Sequence, residues 1–131
     1  MQLELHEGEV VYCTVKPARM KPAFEAEPLL SAVCQFQDPE GLTLIVSRAD
    51  AEAHGFEYTY SCRMITLRIH SSINAVGFLA SVTEPLAKRR ITGNAISAYF
   101  HDHLLVPIAS ADEAMRLFSE ISFTVRSDRR T

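Results

Sequence analysis

The order of apolar and polar positions divides the chain into short strands and amphipathic helices. Ile65, Leu67 and Ile69 alternate with Thr66 and Arg68, the two-residue period of a strand with one buried face. Val76, Leu79, Val82, Leu86 and Ala87 then recur at spacings of three and four, which predicts a helix over residues 75–89 with Glu84, Lys88 and Arg89 turned to solvent. Between the two, the stretch Ser71-Ser72-Ile73-Asn74 supplies side-chain oxygens for the first N–H groups of that helix. Gly93-Asn94 turns the chain into two strands, 95–100 and 104–108, joined around His101-Asp102-His103. Ser110 is placed to cap a last helix whose apolar side is Ala111, Ala114, Met115, Phe118 and Ile121, with Asp112 and Glu113 in the first turn where the dipole favours negative charge. Phe123 to Arg126 reads as a closing strand, and the polar residues 127–131 are expected to fray. This half therefore reads β-α-β-β-α-β.

The upstream half repeats that order in weaker form. Glu9 to Val15, EVVYCTV, is β-branched and aromatic and predicts a strand. Pro17, Pro22 and Pro28 exclude one regular helix over 16–30, because an interior proline removes a donor and clashes with the preceding turn; at most a short helix over 24–30 remains. Residues 32–37 and 42–47 are strand-like runs joined by Asp38-Pro39-Glu40-Gly41, the composition of a type I turn. A helical pattern from Arg48 to His54 stops at Gly55, and Glu57 to Tyr60 returns as a strand that runs into the next half without a linker. The expected fold is α+β: two ferredoxin-like βαββαβ units, residues 1–61 and 62–131, the first with eroded helices, each an antiparallel sheet with helices on one face.

Composition narrows the function classes. A chain of 131 residues has room for a real core, burying about 65–70% of its unfolded surface. Its net charge of -3 gives no electrostatic footprint for nucleic acid. No window approaches the ~20 apolar residues of a membrane span, and MQLELHEGEV lacks the basic and apolar regions of a signal peptide, so a cytoplasmic protein is expected. Cys13, Cys34 and Cys62 are odd in number and form no C-x-x-C pair, which fits buried thiols in a reducing compartment. For catalysis, Ser71 or Ser72 beside His70 lacks a third orienting group, and neither a nucleophile elbow nor a phosphate-cradling glycine loop occurs. The expectation is a non-enzymatic protein without a cofactor.

The segments ITLRIHSSINAVGFLASVTEPLAKRRI, NAISAYFHDHLLVPI and ADEAM, with GLTLIV upstream, resemble the ACT domain family, and the whole chain is similar to short bacterial proteins built of two ACT-like units. Pro85 within the helix is compatible with the resemblance, since ACT helices accept Pro-Leu there. The resemblance implies a regulatory module whose partner is a small molecule, commonly an amino acid, and which forms a homodimer or higher homo-oligomer. It places the ligand at the loop Ser71, Ser72, Ile73, Asn74, Ala75, Val76 and Gly77, with Asn94 and Ser97 approaching from a neighbouring unit. A helix N-terminus with free N–H groups suits a carboxylate, and Gly77 leaves room for a ligand or for close helix-to-sheet packing. Two other readings stand beside this one. His70, His101 and His103 share one edge in the expected topology and, with Asp102, offer ligand chemistry for Zn, Ni, Cu or Fe; the plainer role of His101 and His103 is to flank a turn. A ligand-free dimerisation protein, structural or partner-binding, fits the same fold.

Overall fold

The computed structural model describes residues 2–16, 32–68 and 76–121. Its elements are β1 (Gln2–Leu5), β2 (Val10–Val15), β3 (Cys34–Asp38), β4 (Gly41–Ser47), α1 (Arg48–Ala53), β5 (Tyr58–Arg68), α2 (Phe78–Lys88), β6 (Asn94–Ser97), β7 (Asp102–Pro107), a 3₁₀ turn (Ile108–Ser110) and α3 (Ala111–Ser119). Two compact units result, Gly8–Cys62 and a second made of Met1–Glu7 with Arg63–Thr131. A straight division at 61/62 differs from this in where it puts residues 1–7, which group with the second unit, and Cys62, which groups with the first.

In the first unit the strands lie in the order β3-β4-β2-β5. Val11, Cys13 and Val15 of β2 alternate into one face with Leu42, Leu44 and Val46 of β4, and Ala51 of α1 closes on them. The turn Asp38-Pro39-Glu40-Gly41 joins β3 to β4 as expected, with Asp38 paired to Gly41. Gly41 is required by space, since a Cβ there would lie 2.6 Å from the carbonyl oxygen of Val15. α1 is only six residues long; Ser47 caps it by accepting from the Asp50 N–H at 3.0 Å, and Gly55 follows with φ +69. The short helix expected over 24–30 lies outside the described residues. Between Val10↔Cys62 and Tyr12↔Thr59, two steps along β2 answer three along β5, so β5 carries a bulge. Tyr60 occupies it with φ +55, a left-handed conformation that is costly for an aromatic residue.

The second unit follows the order β1-β5-β7-β6. Its core joins Ile65 and Leu67 of β5 to Leu104 and Val106 of β7, under Phe78, Val82 and Leu86 of α2 and Ala111, Ala114, Leu117 and Phe118 of α3. Both helices thus cover one face. In a βαββαβ unit the position beside the first strand belongs to the fourth; here β1, upstream of the whole first unit, fills it, pairing Gln2↔Arg68 through Leu5↔Ile65. β1 was not expected from the sequence. The strand expected at 123–126 lies outside the described residues.

Three local expectations are corrected. α2 begins at Phe78, three residues after the expected 75, and its N-cap is Gly77 with φ +86. Capping by Ser71 to Asn74 does not fit a helix that starts so far downstream. Among the described residues, its chain neighbours aside, no atom lies within 4 Å of where a Gly77 Cβ would be, so the glycine serves backbone conformation and not close packing there. The hairpin turn is residues 98–101, closed by Ala98 N–H donating to the His101 carbonyl at 3.0 Å, and not 101–103; Asp102 and His103 are already in β7. Ser110 sits at the N-cap of α3 but its side chain makes no capping bond, because a 3₁₀ turn leads directly into the helix. Pro85 is accommodated inside α2.

α2 ends in a Schellman-type turn, with Arg90 N–H donating to Ala87 and Ile91 N–H to Leu86. Arg90 holds the left-handed position, φ +58, that glycine usually takes. Arg90→Gly is expected to raise stability by about 1 kcal/mol in urea unfolding. Gly41→Ala is expected to lower it by about 1–3 kcal/mol, because the clash falls on backbone that cannot rotate away.

Candidate functional site

The end of the second unit's sheet where β5 stops, α2 begins and the β6–β7 hairpin turns is organised by Arg68. It is the last residue of β5, and its Nη1 lies 3.1 Å from Nε2 of His101 at the end of the hairpin turn. Its Nη2 donates to Glu4 of β1, and that contact holds the Glu4 carboxyl below the usual carboxylate range, with a smaller contribution from His6. Three chain segments are therefore fastened at one guanidinium.

One register step back, Thr66 does the same with a hydroxyl. Strand alternation turns Thr66, with Arg68, away from the helix-covered face that takes Ile65 and Leu67. Thr66 is 1% exposed. Its Oγ1 lies 2.7 Å from Nε2 of His6 and 2.9 Å from Nδ1 of His103. The His6 carbonyl accepts two bonds from Arg63, at 3.1 and 2.7 Å, and Nδ1 of His6 faces Glu4 at 3.5 Å. Burial first, then the neighbouring His101 and His6 rings, hold the His103 imidazole below its ordinary value.

The candidate ligand residues fall unevenly. Ser71, Ser72, Ile73, Asn74 and Ala75 lie outside the described residues, as does His70. Val76 is 83% exposed and Gly77 is exposed beside it at the start of α2. Asn94 and Ser97 are exposed on β6, but they stand three residues apart in a strand and so point to opposite faces. Ser97, paired with Asp102, is at the hairpin-turn end; Asn94, paired with Leu105, is at the other. Of the histidines considered as metal ligands, His101 is engaged by Arg68 and His103 by Thr66, and no group of three or more metal-ligating side chains occurs among the described residues. The sequence reading missed His6 and Glu4. A signal was present in Thr66, a polar residue flanked by the two buried apolar positions of β5.

Comparison with known proteins decides the family. Two family profiles, each described as an ACT domain, match residues 1–63 and 59–120. The chain belongs to the ACT domain family. It is 34% identical to a Vibrio cholerae protein of unknown function, described as a possible transport protein, over 92% of this chain and 88% of that one, with a TM-score of 0.79. The regulatory subunit of aspartate kinase from Thermus thermophilus, in its ligand-free form, superposes at a TM-score of 0.72 with 11% identity, covering 92% and 95% of the two chains. Escherichia coli aspartokinase III, in complex with aspartate and ADP, superposes at 0.69 with 12% identity, and this chain spans 33% of it. At these identities the two kinase likenesses speak for the fold. No curated protein matches the sequence.

As a tandem ACT protein, the chain belongs to a family of regulatory modules, and no catalytic family is among the matches. No helix among the described residues is long and apolar enough to cross a membrane. A cavity of about 340 Å³ in the first unit is lined by Tyr12, Cys13, Thr14, Thr43, Glu57, Tyr58 and Thr59. A second lies along α2 and α3, lined by Ser81, Glu84, Pro85, Lys88, Arg89 and Leu117. Neither is lined by Val76, Gly77, Asn94 or Ser97.

The cysteines follow the expected bland reading for two of three positions. Cys13 and Cys62 are buried and burial pushes both thiols up, Cys62 to about 11; Cys34 is half-buried, and all three are free. Alkylation of the native chain at about pH 8 is expected to label Cys34 well ahead of the other two, as read by peptide mass spectrometry. Thr66→Val is expected to cost about 1–3 kcal/mol in chemical unfolding, because it leaves His6 and His103 facing a methyl group.

Proposed function

We propose that this tandem ACT protein is a non-enzymatic, cytoplasmic module that binds an amino acid or similar small carboxylate at the loop 71–77 and transmits binding through self-association. The observation that carries the reading is the Arg68–His101 contact of 3.1 Å. It brings the end of β5 against the hairpin turn, and Gly77, which carries no side chain, is the N-cap of α2. Helix N-termini favour carboxylates through free N–H groups and the positive end of the dipole. The likeness to the regulatory subunit of an aspartate kinase, and to a third of an aspartokinase solved with aspartate and ADP, makes aspartate the first ligand to try.

Association has its own support. β6 is an outer strand of its sheet in the order above, its sequence Asn-Ala-Ile-Ser carries no charge, and such edges invite pairing. Next to it Tyr99 and Phe100 stand 82% and 75% exposed, packed edge-to-face at 4.8 Å. That aromatic pair also favours the second reading, in which the surface only mediates dimerisation or holds a protein partner and no small ligand exists.

Thermal-shift and calorimetric titration with the proteinogenic amino acids separates the two. The first reading expects one of them to stabilise the protein by about 2.7 kcal/mol at a hundredfold excess over Kd, and Ser72→Ala to weaken that binding by about 1 kcal/mol. Folded protein that answers to no amino acid, yet sediments as a dimer that Ile96→Lys dissociates, supports the second reading. A monomer at high micromolar concentration with no response to any amino acid overturns both.

A further inference from the structure

The cavity of the first unit lies on the face of its sheet away from α1. Tyr12 and Thr14 of β2 alternate with Val11, Cys13 and Val15, which pack with Ala51 of that helix, so strand geometry turns the two to the opposite face. Register brings two more threonines there, Thr43 of β4 opposite Thr14 and Thr59 of β5 opposite Tyr12. Glu57 stands two residues before Thr59 and is exposed. These side chains line about 340 Å³, and Cys13 and Tyr58, whose own side chains pack on the α1 side, supply backbone to the floor. That volume falls at the small end of the range for small-molecule sites, about 300–1,000 Å³.

The chemistry of the lining selects a charge. No lysine, arginine or histidine is among the lining residues, and Lys16, just past the end of β2, is exposed outside them. Two carboxylates bear on the cavity instead: Glu57 lines it, and Asp38 accepts from the Thr43 hydroxyl at 3.4 Å. With its proton committed to Asp38, that hydroxyl offers the cavity lone pairs only, which suits an N–H donor. Threonine methyls and the Tyr12 ring make the rest of the wall apolar. A strained residue stands beside this wall. Tyr60, left-handed in the β5 bulge next to Thr59, sets its ring edge-to-face on Tyr12 at 5.5 Å. Bulges re-aim side chains, and strain of this kind persists where the surroundings fix it, so Tyr12 enters the cavity already held from the side. We propose that this cavity is a second ligand site, which takes a small organic cation with an apolar body, such as a primary amine. The ammonium group lies between Glu57 and the threonine hydroxyls, and the apolar body rests on the sheet against Tyr12. A free carboxylate or phosphate meets two negative charges and no cation there. The site is independent of the loop 71–77, and its ligand carries the opposite charge.

NMR of the full chain with isotope-labelled threonine methyl groups tests the site with three probes of one shape and different charge: phenethylamine, phenethyl alcohol and phenylacetate. The amine should shift the Thr14, Thr43 and Thr59 methyl signals saturably, the alcohol should bind about tenfold more weakly, and the anion should leave them unmoved. Glu57→Gln removes the charge at an exposed position and should weaken the amine about tenfold while leaving the alcohol as it was. Thr59→Phe fills the cavity from an exposed strand position that an aromatic residue suits, and should abolish the shifts at Thr14 and Thr43. Threonine methyl signals of the second unit, unchanged in both variants, report that the fold is kept. Absence of a saturable shift with about 10 mM amine overturns the proposal. So does an alcohol or anion that binds as tightly as the amine, or amine binding that Thr59→Phe leaves unaltered.

Discussion

β5 is the strand on which both halves of the chain depend, because it has different neighbours along its eleven residues. Residues Tyr58 to Cys62 pair with β2 and complete the first unit; residues Ile65 to Arg68 pair with β1 and open the second. A strand with two obligations meets two register demands. The bulge at Tyr60 absorbs the difference, at the cost of a left-handed tyrosine whose phenol oxygen is buried with no hydrogen-bond partner among the described residues and pushed up to about 12, mainly by that burial. Its ring packs edge-to-face on Tyr12 at 5.5 Å, an aromatic contact that offsets part of the strain.

Much of this was legible in the sequence where a pattern is long or a turn is chemically marked. Val82 and Leu86 of α2 and Ala111, Ala114 and Phe118 of α3 bury as expected, whereas Val76 and Ala87 of the expected stripe are exposed and Phe78 and Leu117 are buried in addition; Asp38-Pro39-Glu40-Gly41 turns where proline and glycine say it should. The failures share a cause, which is that local chemistry was asked to report a non-local partner. Gln-Leu-Glu-Leu is too short an alternation to stand out, and its place is set by a strand some sixty residues away. Ala-Tyr-Phe has high strand propensity but forms an exposed turn, because the pairing Ser97↔Asp102 fixes the register and leaves residues 98–101 outside it. The polar histidines drew the turn towards themselves; tertiary contacts with Arg68 and Thr66 explain their polarity instead.

The candidate site was legible in outline only. The βαββαβ path alone predicts that the end of β5, the start of α2 and the hairpin meet, and Arg68 against His101 joins the first of these to the last. What no spacing rule supplies is that β1 brings Glu4 and His6 to the same place. The two faces of the second unit's sheet thus differ in kind. Under the helices, apolar side chains hold by area and tolerate modest change. On the other, directional bonds through one guanidinium and one hydroxyl join three segments, and losing either centre leaves several groups unpaired at once.

The placement of β1 also sets the order in which the chain can be finished. The contact from Glu4 to Arg68 spans 64 residues, and the whole first unit is made in between. Contacts of such separation close late, since loop entropy must be met before they return any stabilisation. During synthesis the first unit can complete its sheet once Cys62 has emerged, whereas β1 must wait unpaired until β5, α2, β7 and α3 are available to build the surface it joins. Of the described strands, the first to be made is the one whose partner surface is completed latest.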